Sequence, residues 1–268
     1  MTLYVETLGN PDNETIVFLH GAGVAGWMWT DIATSLTEYQ CVLYDLPGHG
    51  NSAEIVPESL LAMAEYVAED IKTRFEGEPV YLVGLSLGGI LTTLITARYP
   101  HLVRRGIASG VNALPIPNMW YLRILMSAMT AVVKRDFYIK FTANMYGVPE
   151  DTYEQFYTTS KNLNLDVYKM VARDALDFRV PSNIGNNHTP MLFVAGENEH
   201  PVNVQSVNAL ANAFPNAQSA LAPEAGHMWS AEKPDLFAEM IRAWLIDAPL
   251  PSALPQQTDK QKALASVN

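Results

Sequence analysis

Short runs of consecutive apolar residues recur along the chain: Thr15 to Leu19, Tyr39 to Tyr44, Val80 to Val83, Arg105 to Ala108 and Met191 to Ala195. They are rich in β-branched and aromatic side chains and do not alternate with polar ones. That pattern suits strands buried on both faces of a parallel sheet. A weaker run covers Gln218 to Leu221. Between the strands the pattern turns helical, over Trp27 to Leu36, Leu60 to Phe75, Gly88 to Tyr99, Val202 to Ala213 and about Pro234 to Leu245. Alternating strands and helices with short connections predict an α/β fold class, a doubly wound and mostly parallel sheet.

One stretch breaks the alternation. From Asn112 to Thr189 there is no strand signal, only helical pattern rich in Met, Tyr, Phe and Leu. Met119 to Met126 reads as a helix apolar on most of its surface, followed by helices over Asp136 to Met145, Pro149 to Ser160 and Leu165 to Leu176. A connection this long inside a compact domain is an inserted subdomain or lid. We therefore expect a core made of residues 1–111 and 190–247, a helical cap over 112–189, and a flexible tail over 248–268. Taken singly, the cap's aromatics and methionines suit ordinary helix packing. Together they suggest a dry pocket against the sheet's loop end.

The run Tyr81-Leu82-Val83-Gly84-Leu85-Ser86-Leu87-Gly88-Gly89 carries the chemistry. A strand ends on a serine flanked by glycine two residues to either side, and a helix begins at once: the nucleophile-elbow pattern. The serine takes a strained backbone conformation with its hydroxyl above the sheet. The neighbouring strand and helix crowd positions 84 and 88, where only glycine lacks a Cβ to clash. A serine hydroxyl needs a histidine to take its proton, and the histidine needs a carboxylate. His227, in the glycine-containing loop Ala225-Gly226-His227-Met228-Trp229, is the expected base. The acid lies after strand Met191 to Ala195, where Glu197 and Glu199 compete and Glu224 is a weaker local candidate. Acidic residues there sit at the carboxyl end of a strand, the side on which the elbow opens. The glycine-rich turn after Phe18-Leu19-His20-Gly21-Ala22-Gly23 offers backbone N–H groups for an oxyanion, joined by that of Leu87.

Composition narrows the class. The chain has 268 residues, 49% hydrophobic and 17% charged, with a net charge of −11. That charge argues against nucleic acid and against an anionic membrane surface as partners. No apolar stretch approaches the ~20 residues that span a bilayer. The start lacks a secretory pattern and the single cysteine, Cys41, sits in an apolar run, so a cytoplasmic protein is expected and the Asn13-Glu14-Thr15 sequon carries no weight. There is no metal-ligand cluster and no phosphate-binding glycine loop, so no cofactor is expected, only a small-molecule substrate. Oligomeric state has no signature in the pattern.

The set His20-Gly21, Asp45-Leu46-Pro47-Gly48-His49-Gly50-Asn51-Ser52, Gly84 to Gly89 and Gly226-His227 resembles the α/β-hydrolase superfamily, in its esterase, enol-lactonase and cofactor-free haloperoxidase-like branch. The resemblance covers about residues 14 to 247. It implies Ser86 as nucleophile, His227 as base, Ala22 and Leu87 as oxyanion-hole donors through their N–H groups, and a cap over 112–189. The family places aspartate where this chain has Glu199, so the acid role passes to Glu199, one methylene longer. The resemblance gives Asp45 and His49 to a structural loop, and His200 is expected to face solvent. It implies hydrolysis of an ester or lactone through an acyl-enzyme. Relatives run carbon–carbon bond cleavage or hydroxynitrile lysis on the same triad, and some sense small ligands with little turnover. Trp27, Met28, Trp120, Met228 and Trp229 are expected near the pocket mouth, which suggests a largely apolar substrate.

Overall fold

Each apolar run extends as a strand, and each strand splits its side chains between two cores. The computed structural model describes residues 2–116, 123–124, 129–182, 184 and 187–255. Strands β1 (Val5–Leu8), β2 (Thr15–Leu19), β3 (Gln40–Tyr44), β4 (Val80–Leu85), β5 (Val103–Ser109), β6 (Met191–Gly196) and β7 (Ala217–Ala222) form one sheet in the order β1-β3-β2-β4-β5-β6-β7. β1 pairs antiparallel with β3, and all other neighbours are parallel. Successive residues of a strand point to opposite faces. Val17, Leu19, Leu82 and Phe193 therefore enter one core with helices α2 (Leu60–Arg74) and α3 (Leu87–Arg98). Ile16, Phe18, Val83 and Val194 enter the other with α1 (Thr30–Ser35).

β1 has no counterpart in the predicted strands. It is a four-residue edge strand with little buried surface, so it lacks the continuous apolar signature of the central ones. It is held from outside the sheet's own pattern: the Leu3 N–H donates to Asp70 Oδ1 at 3.0 Å, and Asp70 also accepts from Tyr44 Oη and Arg74 Nε.

Between β5 and β6 the described residues hold no strand. Helices α4 (Asp136–Met145), α5 (Tyr153–Asn162) and α6 (Leu165–Asp177) run close to the sequence reading, while the helix expected over Met119 to Met126 lies almost wholly outside the described residues. Polar ties fix this helical segment to the core. Trp27 Nε1 donates to Thr159 Oγ1 at 3.0 Å, Asn164 N donates to the Gly48 carbonyl at 2.9 Å, and Leu60 N donates to Asp174 Oδ2 at 3.2 Å. Gly48 has φ +80°, and a Cβ there would lie 2.4 Å from Val167 Cγ1, so only glycine lets this loop pass beneath α6.

After β6 come α7 (Pro201–Ala213), the short α8 (Trp229–Glu232) and α9 (Pro234–Leu245). α9 buries Phe237, Met240, Ile241, Trp244 and Leu245 in the α1-side core. Of the expected flexible tail, residues 248–255 are described and are packed at Leu254. Leu254 is 1% exposed within the same core, because the chain after α9 folds back onto it; residues 256–268 lie outside the described residues.

Candidate active site

Ser86 joins β4 to α3 at φ 55°, ψ −113°, in the left-handed half of conformational space where a non-glycine residue is strained by about 1–3 kcal/mol. The surroundings impose that conformation. A Cβ at Gly84 would fall 2.1 Å from the Gly88 carbonyl oxygen, and one at Gly88 would fall 1.9 Å from that of Leu19. The turn is pinned by Ser86 N donating to Ser109 O at 2.8 Å and Gly88 N donating to His20 O at 3.0 Å. Any side chain at 84 or 88 would force β4, α3 and β2 apart.

The β2 loop lies against the elbow: a Cβ at Gly21 would be 3.7 Å from Ser86 Cβ. Among the described residues, neither Ala22 N–H nor Leu87 N–H donates to a protein acceptor. Leu87 opens α3, so its N–H is one of those a helix start leaves unpaired, and the helix dipole adds positive potential there. The Ala22 N–H belongs to the Gly21–Ala22 peptide, whose carbonyl accepts from His20 Nδ1 at 2.6 Å. His20 Nε2 accepts from Leu46 N–H at 2.9 Å, so the ring is a neutral Nδ1–H tautomer. Because the peptide is planar, fixing the Gly21 carbonyl fixes the direction of the Ala22 N–H.

His20 and His49 are both fully buried and meet edge to face at 5.1 Å. Burial lowers the His20 pKa to about 4, only partly opposed by the bond to Gly21. Burial, and then the charge of His20, lowers His49 to about 3. Both are neutral when folded and return toward 6.5 on unfolding. Between those values the unfolded chain binds more protons, so their stabilisation is complete above about pH 6.5 and is lost as pH falls toward about 4. A loss of ~2 kcal/mol per histidine is expected between pH 7 and pH 5, read as a falling Tm. In His49→Gln the fall should be roughly halved, and a Tm flat across this range in the parent protein would contradict the buried neutral state.

The carboxylate and imidazole come from two loops that meet at the end of β6. A Cβ at Gly196 would sit 2.3 Å from the Ala225 carbonyl, so glycine there admits the loop that carries His227. Glu199 Oε2 accepts from His227 Nδ1 at 2.7 Å and from Asn203 Nδ2 at 2.8 Å, and Oε1 accepts from Gly196 N at 2.9 Å. Burial pushes the Glu199 carboxyl up. The hydrogen bond and charge of His227, with Asn203 and Gly196, outweigh it and hold the group below the usual glutamate range. An ionised Glu199 fixes the proton on Nδ1 and leaves the lone pair of His227 on Nε2. The imidazole packs on Gly110, at φ +64°, where a Cβ would be 2.8 Å from His227 Cε1. Gly110 follows Ser109, which anchors Ser86, so the elbow and the imidazole share one support. Ser86 and His227 are not hydrogen-bonded to each other in this structure; such bonds tighten when substrate is bound.

The competing carboxylates lie elsewhere. Glu197 is exposed and its Oε2 accepts from Glu224 N at 3.0 Å, which also occupies the Glu224 backbone. His200 is exposed, its Nδ1 accepting from Val202 N at 3.3 Å. Asp45 ties loops together through Gly26 N and Asn51 N. Trp27, Met28 and Met228 line a cavity of about 300 Å³ with Val24, Tyr146 and Val148. Trp229 does not face it: the ring is fully buried against Phe237 at 4.4 Å, and Nε1 donates to Ser109 Oγ at 2.8 Å. One residue beyond Met228, it opens a short helix whose first side chain turns into the core. Trp120 lies outside the described residues. Sequence reasoning misses Asn203 and Gly110. Asn203 stands four residues after Glu199, across the start of α7, a spacing that brings side chains together on a helix; nothing local marks Gly110.

The pattern that defines the alpha/beta hydrolase family matches residues 16–240. The chain belongs to that family and is a hydrolase. Lipase 1 of Psychrobacter immobilis is 24% identical over 265 residues, covering 90% of this chain and 80% of that protein. A thermophilic esterase from Thermogutta terrifontis superposes with a TM-score of 0.73 at 21% identity, over 91% of this chain and 93% of that one. The enol-lactonase from Burkholderia xenovorans LB400 does so with a TM-score of 0.72 at 17% identity, over 91% and 96%.

Proposed function

We propose that the protein hydrolyses a carboxylic ester or lactone of a small, largely apolar substrate through an acyl-enzyme on Ser86. The observation that carries this reading is the Glu199–His227 bond of 2.7 Å together with a serine held at φ 55°, the serine and the imidazole both resting on Ser109–Gly110. Ser86 Oγ attacks the carbonyl carbon as His227 Nε2 takes its proton. The oxyanion accepts from Ala22 N–H and Leu87 N–H, each such donor contributing about 3 kcal/mol to the transition state. His227 then gives its proton to the leaving alcohol. Water, deprotonated by the same Nε2, releases the acid and restores Ser86. Glu199 stays ionised throughout and balances the imidazolium. The helices over 112–189 act as the cap, and the cavity bounded by Trp27, Met28 and Met228, which reaches the residue after His227 and is not lined by Ser86 or His227 themselves, takes the apolar part of the substrate. The likeness to the Psychrobacter immobilis lipase supports ester chemistry. A fluorophosphonate probe, which transfers its phosphonyl group to an activated serine, should label the peptide containing Ser86, and short aryl esters should be turned over. Absence of both labelling and turnover would sink the reading.

A further inference from the structure

Helix α4 has apolar residues on both faces. Ile139, Thr142 and Ala143 turn inward, while Phe137, Phe141 and Met145 are 67%, 61% and 58% exposed. Their spacing of four residues sets them in one stripe along the outer face. No other described phenylalanine is this exposed, and Ile124 and Met129 lie exposed just upstream. Single exposed apolar side chains are ordinary, but a continuous stripe marks a surface that is covered in use.

Charge identifies what covers it. Between residues 111 and 149 stand Arg123, Lys134, Arg135 and Lys140 against one acid, Asp136; Asp136 is paired with Lys161 and Arg123 with Asp177, each at 2.5 Å, which leaves Lys134, Arg135 and Lys140 as the cations around the stripe. The remainder of the chain keeps thirteen of the seventeen basic residues and twenty-seven of the twenty-eight acidic ones. The net charge of −11 therefore hides a cationic, apolar face on a strongly anionic body. Arg135 and Lys140 are exposed beside the stripe. A second copy pairing on this face about a two-fold axis would bring those cations together with their own copies, which opposes association. An anionic lipid surface satisfies both features, since it receives phenyl and thioether groups at the acyl boundary and attracts the flanking cations. Repulsion of the acidic body turns the stripe toward that surface.

We propose that the outer face of α4 docks the protein on an anionic phospholipid surface, with Phe137, Phe141 and Met145 entering the interface and Arg135 and Lys140 pairing with headgroup phosphates. The attachment is peripheral, since no helix among the described residues is long and apolar enough to cross a membrane. α4 runs directly into Tyr146, Gly147 and Val148, which line the cavity shared with Met228, so docking holds that cavity close to the lipid. The surface uses none of Ser86, His227 and Glu199 and stands independently of the reaction they perform.

Flotation with vesicles of phosphatidylglycerol and phosphatidylcholine in about equal parts tests this, with phosphatidylcholine vesicles alone for comparison. The protein should float with the anionic vesicles and release as salt rises from about 0.05 to about 0.5 M. Phe137→Glu/Phe141→Glu should bind at least about tenfold more weakly, and Lys140→Glu at least about fivefold. Circular dichroism and an unchanged Tm identify these variants as folded. Absence of flotation, equal flotation of the double variant, or binding indifferent to lipid charge and salt would each overturn the proposal. So would sedimentation velocity showing a dimer that the double variant dissolves while vesicles bind neither form.

Discussion

Ser86→Ala is expected to lower kcat for a short aryl ester on the order of 10⁴- to 10⁶-fold while leaving the fold intact. Alanine keeps the Cβ that already sits at φ 55°, so the strain at the elbow and its tight packing are the same in both proteins. Only Oγ is lost, and the structure gives that oxygen no hydrogen bond to His227, so little stability depends on it. Tm should stay within a few degrees of the parent, and fluorophosphonate labelling should vanish. On the proposed mechanism, what remains is the contribution of the Ala22 and Leu87 N–H groups to attack by a water molecule. The measurement is steady-state kinetics with active-site titration, which separates true residual turnover from a trace of parent enzyme. Unchanged kcat would remove Ser86 from the reaction.

The parts of this protein legible in its sequence are those where one local pattern meets one physical constraint. Strands β2 to β6 are buried on both faces, which writes a continuous apolar run, and Gly84 and Gly88 are demanded by contacts that any Cβ would violate at about 2 Å. The elements that escape are set by distant partners. β1 is an edge strand whose anchor, Asp70, lies in α2, sixty-seven residues from Leu3. Leu254 is buried although its neighbours in sequence are polar and proline-rich, because its burial depends on where α9 leaves the chain. Trp229 shows the limit of reading outward from a motif: adjacency to His227 in sequence suggested the pocket, yet the turn after Met228 sends it into the core. Glu197 and Glu199 are both acidic residues after the same strand, and composition cannot separate them. The reverse turn Gly196 to Glu199 does, closed by Glu199 N donating to Gly196 O at 3.1 Å, which turns the second carboxylate inward.

That turn leads to the second large effect. Glu199→Gln should lower kcat about 10³- to 10⁴-fold with little change in KM, while Glu197→Gln should stay within about threefold of the parent. Glutamine has the size of glutamate and can still accept from Gly196 N, so the loop is kept. It is neutral, however, and cannot balance the imidazolium that the proposed attack by Ser86 forms. In that orientation its amide takes the Oε2 position and donates to Nδ1, moving the ring proton to Nε2, where the lone pair is needed; turned the other way, it sets its NH2 against the Gly196 N–H. Both orientations impair proton transfer without touching the substrate's binding surface, which is why kcat falls and KM does not. Asn203→Ala, which frees one of three donors to Glu199, should give an intermediate loss of about tenfold. A second readout separates charge from shape. The folded-state carboxyl lies below its unfolded value, so its stabilisation is present above the unfolded glutamate pKa near 4.3 and is lost as pH falls through the folded one. Glu199→Gln should lack this loss, which lies below most of the pH range in which His20 and His49 act. Retained activity in Glu199→Gln together with loss in Glu197→Gln would reverse the assignment, and a Glu199→Gln protein with a folded circular dichroism spectrum and low kcat would place the defect in proton transfer rather than in the fold.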